Sequence, residues 1–335
     1  MRVAVLGGGS FGTVLAHLAA ANAHDVRLWM RDAEQCQSMR ESHENLKYMP
    51  GYPLDGRLVY SANLSESVER ADLVFCAVPG KAVRSLAHEL KNIMGSSTGV
   101  ISTTKGIEVG TFALMSQILR KELGDRPIGV LSGPNLAREI MAGSLSGTVI
   151  ASSDEHLRHD VIQVLASTRF RVFANSDVYG VELAGALKNI YAIASGMASC
   201  LAAGENTRSM LMTRALAEMS RFAVHLGANP LTFLGLAGVG DLIATCSSSL
   251  SRNFQVGVAL AQGKTLDQII GDLEQTAEGI NTIRATKEKS DELGIYMPIV
   301  QGLYALVFEQ RPVAEVIRGL MTGVPSADVE YTLKV

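Results

Sequence analysis

The sequence is poor in cysteine, has no marked excess of either charge, and lacks the motifs of hydrolytic and metal chemistry. Its four cysteines (Cys36, Cys76, Cys200 and Cys246) are scattered through 335 residues and form no C-x-x-C pair. That excludes a zinc knuckle or a disulfide framework and fits a reducing, cytoplasmic setting. Lys and Arg number 30 against 33 Asp and Glu, for a net charge of −3. Such a balance argues against a nucleic-acid or anionic-membrane partner for the chain as a whole. There is no H-E-x-x-H and no G-x-S-x-G, so zinc-dependent and serine hydrolysis have no support. His156 and His159 have metal-like spacing, but Asp154, Glu155, Arg158 and Asp160 surround them and no third ligand is evident. They read as a solvated helix face, and no metal is expected.

Targeting and membrane signals are also missing. The N-terminus runs from a strand into a glycine loop and lacks the basic start, long apolar run and cleavage site of a signal peptide. Residues 183–204 are long enough to span a bilayer, yet they contain Lys188 and Asn189 and little Leu. A lysine in hydrocarbon is costly, and no basic flank marks an inside edge. This stretch is expected to be a core helix of a soluble protein, with no membrane insertion. Neither solenoid repeats nor low-complexity segments occur.

What is present is concentrated at the start. Residues 2–6 read as a short buried strand that runs into Gly7-Gly8-Gly9-Ser10-Phe11-Gly12, followed by an alanine-rich helix and a second strand at 26–30. A G-x-G-x-x-G that ends a strand and opens a helix is the dinucleotide-binding pattern. Gly7 permits the tight turn, Gly9 lets the backbone approach a pyrophosphate, and Gly12 lets helix and strand pack closely. The helix N-terminus offers N–H groups to the anion.

Further apolar runs at 73–78, 99–102, 128–131, 148–151 and 170–174 alternate with helical patterns at 81–94, 111–122 and 154–166. That alternation predicts an α/β, Rossmann-type, doubly wound and mostly parallel sheet over residues 1–176. Residues 45–56, with Pro50, Gly51 and Pro53, read as a loop long enough to be a functional insertion. From 177 to 335 the pattern becomes all-helical, with Asp177 as N-cap of a helix reaching about residue 204. Later helices are expected at 207–227, 252–263, 265–273, 281–293, 299–308 and 313–320.

Ligands of such sheets lie outside the carboxyl ends of the strands. Lys105, in Thr103-Thr104-Lys105-Gly106, falls on that rim. It is either a solvated lysine or a site residue, and its place just past an apolar strand favours the site. Ser132-Gly133-Pro134-Asn135 is a second strand-end turn leading into a helix. Lys188 and Asn189 place one cation and one amide in an otherwise apolar helix; either Lys188 snorkels to the surface or it is buried and tuned for proton transfer. Residues 235–241 form a second glycine-rich turn ending in Asp241, an acid placed to orient Lys188. Ser251-Arg252-Asn253 opens a helix with an N-cap and an arginine, a pairing suited to a phosphate monoester.

Taken in order, these motifs resemble the bacterial NAD(P)-dependent sn-glycerol-3-phosphate dehydrogenases over nearly the whole length. The resemblance rests on the Gly7–Gly12 motif with Thr13, Thr104-Lys105-Gly106, Ser132-Gly133-Pro134 and Gly185-Ala186-Leu187-Lys188-Asn189. Leu216-Ala217-Glu218-Met219, residues 235–242 with Thr245-Cys246, and Ser251-Arg252-Asn253 complete it. It implies reversible reduction of glycerone phosphate by NAD(P)H to sn-glycerol 3-phosphate, which feeds phospholipid synthesis. It further implies Lys188 as general acid and Asp241 as its orienting partner, both also substrate contacts. Lys105, Gly133, Asn135, Ser251, Arg252 and Asn253 fall at substrate positions. Gly7, Gly9, Ser10, Phe11, Gly12, Arg31, Ala137 and Glu278 fall at cofactor positions, with Lys105 and Arg252 shared. A homodimer is implied as well.

Two positions depart from the family pattern. Asn135 stands where Ser or Thr is usual, and Gln275-Thr276-Ala277 before Glu278 is less apolar than the common form. Cofactor choice turns on Arg31-Asp32, which offers both an arginine for the NADP phosphate and an acid for the NAD ribose. Arg31 matches the family position, so the expectation leans to NADP(H) with NAD(H) accepted. The nearest rival is a dehydrogenase of hydroxy or sugar acids with a similar catalytic lysine. A nicotinamide-binding regulator would lack the lysine or the 235–241 turn, and both are present.

Overall fold

A computed structural model describes residues 1–272 and 278–323. The chain divides into two compact units, Met1–Lys105 with Ala113–Glu182, and Gly106–Phe112 with Leu183–Val335. The division falls after Glu182, inside a long helix, where the sequence pattern placed it after Ser176. That Gly106–Phe112 groups with the helical unit has no local sequence signal.

The first unit is built on an eight-stranded sheet. Its spatial order is Phe170–Asn175, Ser146–Ala151, Ile128–Ser132, Gly99–Ser102, Leu73–Cys76, Arg2–Leu6, Asp25–Trp29 and Val59–Ser61. All neighbours are parallel except Ile128–Ser132 against Ser146–Ala151. This is the doubly wound, mostly parallel sheet expected of the Rossmann pattern. Leu73–Cys76, Gly99–Ser102 and Ile128–Ser132 are buried at every position, as strands covered on both faces must be. Alternate residues of the first strand feed two cores. Val3 and Val5 pack with Val14, Leu15 and Leu157 on one face, while Ala4 and Leu6 pack with Val83, Leu86 and Ile118 on the other.

Two features of this unit departed from expectation. Residues 45–56 are not simply a loop: Glu44–Asn45 and Met49–Pro53 pair as a small antiparallel hairpin. Pro50, Gly51 and Pro53 hide the strand signal, and an isolated two-stranded ladder tolerates proline where a central strand does not. Val59–Ser61, an edge strand of three residues, is too short to show a period.

In the second unit, Val178–Cys200 continues out of the first. The Asp177 carboxylate accepts from the Gly180 N–H at 2.9 Å, the expected cap. Every residue from 181 to 193 is buried, which is why this helix reads as apolar all round. Helices Glu205–His225, Arg252–Ala261, Leu266–Asp272, Glu278–Leu293, Pro298–Phe308 and Val313–Thr322 follow close to their expected places. Gly257 and Gly196 let two of them cross closely: a Cβ at Gly257 would lie 1.9 Å from the Ile193 carbonyl oxygen, and one at Gly196 2.0 Å from that of Phe254. Residues 235–241 differ from the glycine turn expected there. Leu236–Gly240 is a π-helical turn that runs directly into an α-helix, Asp241–Ser247. Among the described residues no helix is long and apolar enough to cross a membrane.

Candidate active site

The glycine loop of the first unit has the shape a pyrophosphate requires. Gly7 has φ of +125°, and a Cβ there would lie 2.4 Å from the Ala77 carbonyl oxygen. A Cβ at Gly12 would lie 2.0 Å from the Gly7 carbonyl oxygen, so helix and strand touch through these two residues. Gly9 is different: beyond its own chain neighbours, no heavy atom of the described residues lies within 4 Å of where its Cβ would be. The loop is therefore closed on the protein side and open at Gly9, the cradle a dinucleotide fits. Gly9 is also the N-cap of Ser10–Ala21 and has no side chain to cap it. The first-turn N–H groups have no intrahelical acceptor by construction and suit an anion at this end of the helix. Phe11 packs on the core and Ser10 donates to the Tyr48 carbonyl at 3.3 Å, which fixes the rest of the turn.

After the second strand, Arg31 is exposed and Asp32 serves another purpose. Its Oδ1 accepts from the N–H groups of Glu34 and Gln35, capping the helix Ala33–Ser42, and Oδ2 lies 3.3 Å from Lys47 Nζ. The Gln35 N–H and then the Lys47 ammonium hold this carboxyl below its ordinary range.

Further along the rim, Lys105 Nζ donates to the Gly133 carbonyl at 2.8 Å. Gly133 has φ of +142°, and a Cβ there would meet Thr148 Cα at 3.2 Å. The Asn135 amide donates to Thr148 Oγ1 at 3.0 Å, while its Oδ1 is buried with no hydrogen-bond partner among the described residues. A buried acceptor left open beside Lys105 and Gly133 is what a hydroxyl of a small polyol would satisfy. Asn in place of the usual Ser or Thr therefore keeps an acceptor at this point. Ala137 begins the next helix, Ala137–Met141, and is partly buried.

In the helical unit, Lys188 is buried, not snorkelling. Its Nζ donates to Asp241 Oδ1 at 2.5 Å and to Thr245 Oγ1 at 2.5 Å. Thr245 in turn donates to Asp241 Oδ1 at 3.2 Å. Lys188 is 6% exposed and Asp241 1%. Asp241 and Thr245 are one turn apart on the helix Asp241–Ser247, so both face the same lysine. The sequence carries no sign of Thr245 as a site residue, because a segment that reads as a turn offers no i, i+4 pairing. Neighbouring Cys246 is no nucleophile: burial pushes its thiol up to about 12.

Ser251 caps the helix Arg252–Ala261 through the Phe254 N–H, and Arg252 is exposed beside it. The Asn253 side chain accepts from the Gly279 N–H at 3.1 Å, bringing it to the start of the helix that Glu278 opens. A Cβ at Gly106 would stand 3.5 Å from a Glu278 carboxylate oxygen, so this glycine, too, faces the cluster. Gln275-Thr276-Ala277 lies outside the described residues.

Known proteins match this chain over nearly its whole length. The family model for the N-terminus of NAD-dependent glycerol-3-phosphate dehydrogenase matches residues 2–158, and that for its C-terminus matches residues 177–318. A relative from Teredinibacter turnerae named as an NAD(P)+ glycerol-3-phosphate dehydrogenase is 52% identical over 98% of this chain and 97% of its own length. One of the same name from Azotobacter vinelandii is 53% identical over 98% of this chain and 96% of its own. The crystal structure of glycerol-3-phosphate dehydrogenase from Coxiella burnetii aligns at a TM-score of 0.91 and 33% identity, covering 96% of this chain and 99% of that one. With both halves matched in order and over nearly their full length, the chain belongs to the NAD-dependent glycerol-3-phosphate dehydrogenase family.

Proposed function

We propose that this chain catalyses the reversible NAD(P)H-dependent reduction of glycerone phosphate to sn-glycerol 3-phosphate, the glycerol backbone of phospholipids. The observation that carries the chemistry is the buried Lys188–Asp241–Thr245 cluster. Bound NAD(P)H supplies a hydride to C2 of the substrate. As negative charge develops on the C2 oxygen, Lys188 Nζ stabilises it and gives it a proton; in the oxidation it takes that proton back. Asp241 and Thr245 limit the rotation of the lysine side chain, so its third N–H direction is left for the substrate. Partners fixed before reaction cost no reorganisation during it.

Binding follows the family positions, and the local geometry at the glycine turn and at Gly133 supports it. The Gly7, Gly9 and Gly12 turn with Ser10 and Phe11 holds the pyrophosphate, and Arg31, Lys105, Ala137, Arg252 and Glu278 contact the cofactor. Lys105, Gly133, Asn135, Ser251, Arg252 and Asn253 hold the substrate, with the cations on its phosphate. Arg31, and an Asp32 already committed as a cap, support NADP(H) over NAD(H). A cytoplasmic setting is supported by the cysteines, of which Cys36, Cys76 and Cys246 are buried as free thiols. A homodimer follows from the family resemblance.

The test is loss of NADPH absorbance with glycerone phosphate, with its unphosphorylated analogue dihydroxyacetone, and with a 2-keto acid. Turnover of the phosphorylated triose far above the other two is expected. Preference for the 2-keto acid would point to the hydroxy-acid dehydrogenases instead.

A further inference from the structure

The small hairpin formed by Glu44–Asn45 and Met49–Pro53 has no part in the chemistry above, yet it is fastened to the glycine loop. The Asn45 side chain is fully buried. Its amide donates to the Gly8 carbonyl at 2.9 Å and to Thr13 Oγ1 at 2.8 Å, and its Oδ1 accepts from the Tyr48 N–H at 3.2 Å. Gln35 donates to the same Gly8 carbonyl at 2.6 Å, and Thr13 donates to that of Gly9 at 2.8 Å. The hairpin thus cannot drift from the nucleotide cradle without breaking a buried network, which is expensive.

What the hairpin carries at its turn is Lys47. Its ammonium stands 3.3 Å from Asp32 Oδ2. Asp32 lies about 20 residues past the glycine motif, where a carboxylate reads the ribose hydroxyls of NAD and would repel the 2′-phosphate of NADP. Here Oδ1 caps a helix and Oδ2 faces a cation, so that repulsion is cancelled. A cation in contact with a carboxylate at that sequence position is placed to meet a 2′-phosphate on the same ribose. Arg31, adjacent in sequence and exposed, adds a second cation with a forked donor set.

We propose that Lys47, held in place through Asn45, is a specificity-determining residue: it neutralises Asp32 and, with Arg31, takes the 2′-phosphate of NADP(H). This deepens the assignment of a nicotinamide nucleotide to the same turn and rests on it.

The experiment measures binding of 2′,5′-ADP and of 5′-ADP by calorimetry to the wild type, Lys47→Met and Lys47→Arg, without turnover. Expected are tighter binding of 2′,5′-ADP by the wild type, a loss of about tenfold for that probe alone in Lys47→Met, and recovery in Lys47→Arg. In steady state, KM for NADPH should rise in Lys47→Met, while KM for NADH should hold or fall because Asp32 is freed for the ribose hydroxyls. Equal losses for both probes, or none, would overturn the proposal, as would a wild type indifferent to the 2′-phosphate. A wild type that binds neither probe would overturn it together with the nucleotide assignment. A wild type that shows the preference, loses it in Lys47→Met, but leaves glycerone phosphate untouched would refute the substrate assignment and still support Lys47.

Discussion

Lys188 Nζ and Asp241 Oδ1 meet at 2.5 Å where both side chains are almost wholly removed from water. A buried ion pair is poor evidence of stabilisation, because desolvation offsets much of the attraction. Breaking one partner alone is another matter, since it strands the other charge. Asp241→Asn should therefore lower stability by about 3–5 kcal/mol and depress kcat. Lys188→Met with Asp241→Asn should recover most of the stability and none of the activity. Denaturant titration beside NADPH oxidation reads both, and a double variant as unstable as Asp241→Asn would refute the stranded-charge account.

Thr245 touches both members of the pair. Thr245→Val keeps the shape and removes the hydroxyl, leaving Lys188 one partner short. A loss in kcat of about tenfold with KM for glycerone phosphate nearly unchanged is expected, and Thr245→Ser should restore it. An equal loss in the Ser variant would show that the methyl group, not the hydroxyl, matters.

Gly9 and Gly12 belong to one motif but should fail differently. Gly12→Ala places a Cβ against backbone, which cannot yield, so the unit itself should be destabilised. Gly9→Ala meets open space at φ of −79°, so thermal stability should hold while KM for NADPH rises. Melting curves of the two apo variants distinguish them; equal melting temperatures would contradict the close contact at Gly12.

Two buried glutamates set a pH dependence. Glu182 accepts from the N–H and hydroxyl of Ser116, and Glu218 from the N–H groups of Ile299 and Val300. Burial outweighs those bonds and raises both carboxyls from 4.5 to about 7. The folded chain thus holds protons that the unfolded chain has released, and stability falls as pH rises from about 4.5 to about 7. Glu182→Gln should flatten that slope. Denaturation midpoints at about pH 5 and about pH 8 test it, and an unchanged slope would contradict the raised carboxyl.

Local pattern made most of this architecture legible. The strand, glycine turn and helix at Arg2–Ala21 are contiguous, and the fully apolar strands announce a sheet covered on both faces. Lys188 stands out because, Asn189 apart, the Ala, Gly and Leu around it offer little polar company. What the sequence hid is what folding brings from afar or disguises with the wrong residues. Glycines in 235–240 suggested a turn, so the Asp241–Thr245 helical pair went unseen. Prolines masked the hairpin, and with it the reach of Asn45 to Gly8 and of Lys47 to Asp32. Glu182 and Glu218 bond to backbone 66 and more residues away, a separation no periodicity reports.

The role proposed for Lys188 is to move the proton when glycerone phosphate is reduced. The most direct measurement is the initial rate of NADPH oxidation with saturating glycerone phosphate, wild type against Lys188→Ala. A fall in kcat of about 10²–10⁴-fold, with NADPH still bound as tightly, is the predicted result. A Lys188→Ala variant within a few-fold of wild type would contradict the account.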